Sequence, residues 1–108
     1  MKYKSRRAKA CDFSIDVKQS IFDRDGGLCV LCGRPGAPNA HYISRAQGGL
    51  GIEENGLTLC HACHMRYDQT EARPMLRVVF RKYLSGKYQG WNEENLVYKK
   101  YKTYLQSK

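Results

Sequence analysis

The chain has 108 residues, 42% of them hydrophobic, with 19 lysines and arginines against 10 acidic residues and a formal net charge of +9. That length fits one domain and excludes two, with a core whose margin of stability is thin. The charge points to a polyanionic partner, with nucleic acid the commonest case and an anionic membrane surface the rival.

No run of about 18 apolar residues exists to span a bilayer, and no hydrophobic signal core follows the basic stretch from Met1 to Ala10. A soluble, intracellular protein that does not enter a membrane is therefore expected. The charge is uneven. Residues 1–22 carry six basic and two acidic groups, residues 23–69 four and five, and residues 70–108 nine and three. A near-neutral centre between cationic flanks is what a central metal site framed by phosphate-binding surfaces would give, the alternative for the flanks being a solvated lysine-rich surface.

Residues 1–13 read as a basic, flexible arm. Ser14 is suited to cap a helix over Ile15 to Asp23 with Val17, Ile21 and Phe22 on its apolar side, ended by Gly26 and Gly27. Cys29 to Cys32, followed by Gly33, form a tight knuckle. Residues 39–43 and 56–60 read as two short strands. The connection between them, Ser44 to Asn55, contains Gly48, Gly49 and Gly51. A connection this long is more often functional than a mere link.

A helix is expected from about Cys60 to Thr70, and a second from Ala72 to Leu84. Pro74 fits the first turn of the second helix, and Leu76, Val79, Phe80 and Tyr83 mark its buried face. Gly86 is expected to stop it. Asn92 is read as the cap of a last helix reaching Leu105, with Val97, Tyr101, Tyr104 and Leu105 in one stripe. The fold class is α+β, with an N-terminal helix and C-terminal helices flanking a small central unit.

Five cysteines are present. Cys29-x-x-Cys32 and Cys60-x-x-Cys63 are separated by 27 residues, enough for a strand-loop-strand unit that contains His41. In a chain with no secretion signal such pairs favour metal over disulfides. Four thiolates in two knuckles supply a closed tetrahedral zinc site, which is structural because it has no open position. Such zinc binding contributes roughly 10–16 kcal/mol in small modules. Cys11 has no partner at this spacing and reads as a half-buried structural thiol.

Three further stretches complete the pattern: Ala-His-Tyr-Ile-Ser-Arg-Ala-Gln-Gly-Gly at 40–49, Glu-Glu-Asn-Gly-Leu-Thr-Leu-Cys at 53–60, and Cys-His-Ala-Cys-His at 60–64. A histidine in strand one, an asparagine before strand two and a histidine at the start of the helix resemble the HNH family of ββα-metal nucleases. The knuckle Leu-Cys-Val-Leu-Cys-Gly at 28–33 is similar to the version of that family with a four-cysteine zinc. The resemblance implies a treble-clef-like nuclease core over residues 14–70, with residues 71–108 as a C-terminal helical extension. It implies His41 as general base, His64 as a ligand of a catalytic divalent cation, and Asn55 as the residue that orders loop and site. Magnesium, manganese, nickel or zinc would serve as the cation, and the products would carry 5′-phosphate and 3′-hydroxyl ends.

The chemistry suits these residue types. A neutral imidazole, with an unperturbed pKa near ~6.5, can take a proton from water. A cation can bind the scissile phosphate and stabilise the departing oxygen. One position departs from the family: the residue before the first histidine, often an aspartate or histidine that binds the metal, is here Ala40. Asp68, four residues after His64, projects from the same helix face and is the best candidate for a substitute ligand, the alternative being a surface ion pair with Arg66 or Arg73 or a cap on the next helix. Arg45 at the mouth of the loop is suited to grip a phosphate. Gln47 is a weaker contact, and His61 is expected to face solvent or support the knuckle.

The function expected from all this is metal-dependent hydrolysis of DNA, with salt-sensitive binding through phosphate contacts and little sequence preference. Phosphate-binding candidates are Lys4, Arg6, Arg7 and Lys9, then Arg77, Arg81 and Lys82, then Lys99, Lys100 and Lys102. One active centre per chain means that a double-strand break requires a homodimer, two visits or a partner protein. The resemblance suggests a phage product associated with DNA packaging and working in the cytoplasm of the host cell. Two alternatives share the cysteines and the charge. One is a non-catalytic treble-clef zinc module that binds nucleic acid, and the other is a packaging accessory that docks through its basic flanks. Neither requires His41, Asn55 and His64 together.

Overall fold

Serine side chains start the first two helices of the computed structural model, which describes residues 5–99. Ser5 Oγ accepts from the Ala8 N–H at 3.1 Å and opens α1, Arg6–Cys11. Ser14 Oγ accepts from the Val17 N–H at 3.1 Å and opens α2, Ile15–Arg24. Each hydroxyl satisfies a donor that the first turn of a helix would leave unpaired. Residues 5–13 are therefore a capped helix and a tail packed on the domain, with Cys11 only 2% exposed, and not part of a flexible arm. Six helical residues are too few to show an apolar period, so nothing in the sequence pattern announces α1.

Two strands follow, β1 (Ala37–His41) and β2 (Gly56–Leu59). They pair antiparallel, Ala40 opposite Leu57 and His41 opposite Gly56, with an irregularity between Ala37 and Ala40. Helices α3 (His61–Gln69) and α4 (Arg73–Lys87) then complete a small mixed α/β unit. The core between sheet and helices holds Tyr42, Leu57, Leu59, Tyr67, Phe80 and Leu84, with the Tyr67 and Phe80 rings edge to face at 4.9 Å. No helix among the described residues is long and apolar enough to cross a membrane.

Several expectations need correction. In α2, Ile21 is buried but Phe22 lies at the exposed rim. The inward face of α4 is Leu76, Phe80 and Leu84, while Val79 is 43% exposed. Tyr83 stays half-buried because its hydroxyl reaches a carboxylate on another element. Gly86 lies inside α4, one residue before its end. Asn92 does cap, accepting from the Glu94 N–H at 2.8 Å, but it opens only a short 3₁₀ turn, Glu93–Leu96. Val97 then pairs with Gly49, because the loop offers the chain a hydrogen-bonded edge: Leu50 N–H donates to Leu96 at 2.7 Å and Tyr98 N–H to Gly48 at 2.8 Å. The rest of the proposed last helix, with Tyr101, Tyr104 and Leu105, lies outside the described residues.

A buried ion pair joins these pieces. Arg24 donates to both oxygens of Asp25 at 2.8 and 2.9 Å, to the carbonyls of Glu53 at 2.9 Å and Gly56 at 2.8 Å, and to the Tyr88 hydroxyl at 3.0 Å. Asp25 also accepts from the Thr58 N–H at 2.9 Å and from the Tyr83 hydroxyl. One pair thus ties the end of α2 to β2, to the turn before it and to α4. Burial works to raise the Asp25 carboxyl, but the Arg24 guanidinium and the Tyr83 and Thr58 donors outweigh it and hold it below the ordinary carboxylate range.

Replacing Asp25 with alanine leaves the Arg24 charge buried without its partner and is expected to cost about 3–5 kcal/mol in urea unfolding. The pH dependence follows from the lowered carboxyl. Its stabilisation is complete above the unfolded value near ~3.9 and is lost as pH falls through the folded value. The acid-side decline in wild-type thermal stability should be flattened in the alanine variant.

Candidate functional site

The first cysteine pair sits on a tight turn: Cys29 N–H donates to Arg34 at 2.6 Å and Gly33 N–H to Cys29 at 2.9 Å. Val30 N–H donates to the Thr58 carbonyl at 3.0 Å, fastening the turn to β2. The second pair brackets the start of α3, with Cys60 just before it and Cys63 in its first turn. The four sulfurs lie within 4.8 Å of one another, and Cys32 and Cys60 Sγ are 3.6 Å apart. A tetrahedral zinc with bonds of ~2.3 Å sets its sulfurs roughly 3.8 Å apart. Cys29, Cys32, Cys60 and Cys63 therefore fit a structural metal ion such as zinc.

Their acidities diverge, as close thiols must. Burial acts against ionisation of Cys29, yet the N–H groups of Cys32, Cys60 and Leu31 bring it down to about 6. Burial and the neighbouring sulfurs push Cys63 up to about 12. Four sulfurs this close ionise together only when a cation shares them.

Beside this cluster opens a cleft of about 620 Å³. His41 and Asn39 line it from β1, two residues apart on one face of the strand, while Ala40 points into the core and is 0% exposed. Ser44, Arg45 and Gln47 enter from the glycine-rich loop, His64 and Asp68 from α3, and Arg73 from the start of α4. His64 Nε2 lies 3.1 Å from Asp68 Oδ2, and Asp68 is 3.6 Å from Arg73. Arg45 is ion-paired with Asp12. His61 lies outside this cleft, exposed in a neighbouring depression that also includes Asn39 and His64.

His41 Nε2 is 2.7 Å from the Cys11 carbonyl oxygen. A carbonyl only accepts, so in the neutral ring Nε2 carries the proton and Nδ1 keeps the lone pair. Burial lowers the His41 pKa below its ordinary value, and the Arg45 charge lowers it further, against the upward pull of the Cys11 carbonyl, Asp12 and Asp68.

Asn55 is not in the cleft. Its fully buried side chain accepts from the Ile43 N–H at 2.8 Å and donates to the carbonyls of Ile43 at 3.1 Å and Leu50 at 2.9 Å. It pins the loop shut behind the site, a role that orders the cleft without touching it. Gly49 is required at the same point, because a Cβ there would overlap the Ile43 carbonyl.

The sequence reading missed Asn39, Ser44 and Arg73 as lining residues, along with the Cys11 carbonyl beside His41. The period of two along β1 would have found Asn39. The basic flanks are partly committed elsewhere. Arg7 donates to the carbonyls of Arg45 at 3.2 Å and Ala46 at 3.1 Å, and Arg77 and Arg81 pair with Glu93 at 3.3 and 3.9 Å. Lys82 and Lys99 are exposed. Lys4, Lys100 and Lys102 lie outside the described residues.

No family model matches this chain, and a search of curated proteins also found no match.

Two outcomes are expected. The purified protein should carry one tightly held zinc per chain by elemental analysis, and a strong chelator should release it with cooperative loss of structure, as the zinc contribution of ~10–16 kcal/mol demands. Asn55→Asp turns a buried donor into an acceptor facing two carbonyls and should lower stability by about 1–3 kcal/mol or more in denaturant titration.

Proposed function

We propose that the chain is a metal-dependent endonuclease of the HNH type that hydrolyses phosphodiester bonds in DNA. The observation that carries this reading is the meeting of His41, His64 and Asp68 in one open cleft next to a four-sulfur cluster. His41 comes from a strand and His64 from a helix, in the order of the family resemblance, and Asp68 joins them one helical turn after His64. The net charge of +9 suits a polyanionic substrate.

In this reading His41 accepts the proton of the attacking water at Nδ1, kept free by the bond from Nε2–H to Cys11. His64 and Asp68 would hold the divalent cation, offering an imidazole nitrogen and a carboxylate oxygen 3.1 Å apart on one face of α3. The cation, when bound, supplies stabilisation for charge on the scissile phosphate and the departing oxygen. Arg45 and Arg73, at different edges of the cleft, bind the flanking phosphates, and Arg45 exchanges Asp12 for phosphate as the strand enters. Ala40 has no ligand atom, and in this reading Asp68 takes that task.

The test is nicking of supercoiled plasmid with magnesium, manganese or nickel, with and without chelator. His41→Ala should lose about 10²–10⁴-fold in rate, the usual contribution of a general base. His64→Ala and Asp68→Asn should lose cation dependence along with activity. Because His41 works when neutral and its pKa is lowered, the acid limb of kcat should fall below the ordinary histidine value of ~6.5. Salt-sensitive DNA binding with no cleavage under any metal would favour the non-catalytic zinc module instead.

A further inference from the structure

His41 is the last residue of a two-stranded sheet, where few neighbours restrain a side chain. Its ring is nonetheless held twice. The Cys11 carbonyl meets Nε2 at 2.7 Å, and the Phe13 ring lies against its face with centroids 4.1 Å apart and planes 22° apart. The stacked ring fixes the plane of the imidazole, and the carbonyl fixes its rotation within that plane. Both contacts come from one short strap, Cys11 at the end of α1 and Phe13 two residues beyond it. Phe13 is not among the residues packed on the main core; its ring covers His41 and Gly56.

The strap has its own seat. Gly51 N–H donates to the Ala10 carbonyl at 2.9 Å, and Arg7 grips the carbonyls of Arg45 and Ala46. A Cβ on Gly51 would overlap the Asp12 carbonyl and crowd the Phe13 nitrogen. The glycine at this point is what lets the strap lie flat on the loop. Cys11, buried, holds the other end of the strap in place.

We propose that the segment from α1 to Phe13 is a positioning strap for the cleft, with Phe13 the positioning residue that aims the His41 ring at its substrate water. The proposal rests on the nuclease reading for its catalytic consequence, but the ring geometry can be read without any cleavage.

The experiment compares full-length, zinc-loaded wild type with Phe13→Ala, Phe13→Leu, Phe13→Tyr and Gly51→Ala. In plasmid cleavage, Phe13→Ala and Phe13→Leu should lower kcat by about 10–100-fold with KM and zinc content unchanged, the scale of a misaimed catalytic group. Phe13→Tyr, which keeps the stacked ring, should restore the rate. Gly51→Ala lifts the strap without altering His41 or Phe13 and should reproduce the loss.

The second readout is the imidazole 15N spectrum, simple to assign because the chain has only three histidines. Wild-type His41 should show a fixed Nε2–H tautomer, and Phe13→Ala and Gly51→Ala should show averaging between tautomers. Unchanged kcat and an unchanged spectrum in Phe13→Leu and Gly51→Ala would overturn the proposal, as would an Nδ1–H tautomer in wild type. If no variant cleaves DNA but the tautomer is fixed in wild type and averaged in the variants, the nuclease reading fails while the strap stands.

Discussion

Four sulfur atoms held within 4.8 Å of one another form the constraint on which the cleft depends. As thiolates they repel, and around a shared cation they become the strongest cross-link available to a chain of this size. The two pairs lie on either side of β1, the glycine-rich loop and β2. Closing the cluster therefore closes that whole segment and brings the first turn of α3 against the knuckle. His64 directly follows Cys63, so its placement follows from the cysteine cluster together with the packing of Cys63 and Tyr67 in the core.

Two buried polar arrangements do the finer placing. The Arg24–Asp25 pair fixes where β2 begins and how α4 leans on the end of α2. Asn55 holds the two ends of the loop together from behind. In each case hydrogen-bonding capacity is used by several partners on different elements, which makes the arrangement specific as well as stable. An apolar side chain at either place would fill the volume but would not set the register of the backbone around it.

What was legible in the sequence had a local cause. Ser14 capped its helix, the Cys-x-x-Cys spacings formed knuckles, and a strand formed at His41, although it runs over Ala37–His41 and ends there instead of continuing to residue 43. The pairing of His64 with Asp68 followed from helical spacing alone. What was not legible required knowledge of distant partners. Val97 belongs to a helical stripe by period but pairs with Gly49, because an exposed loop edge competes for its backbone. Val79 and Leu84 both fit an apolar face of α4, and only the position of Tyr67 and the sheet makes Leu84 the inward one. Residues 5–13 looked like a charged tail because their role lies in a carbonyl, a single ring and a buried thiol. Composition does not register these features.

The burial of Ala40 limits how this cleft could be re-engineered. A designer wanting tighter cation affinity would first install a carboxylate directly before His41. At that point the side chain faces Leu57 and the packed interior, so the new charge would be stranded away from solvent and from the proposed cation alike. Position 39 is the better choice, since the strand already turns that residue toward the opening. An aspartate there would add a donor without disturbing a single core contact.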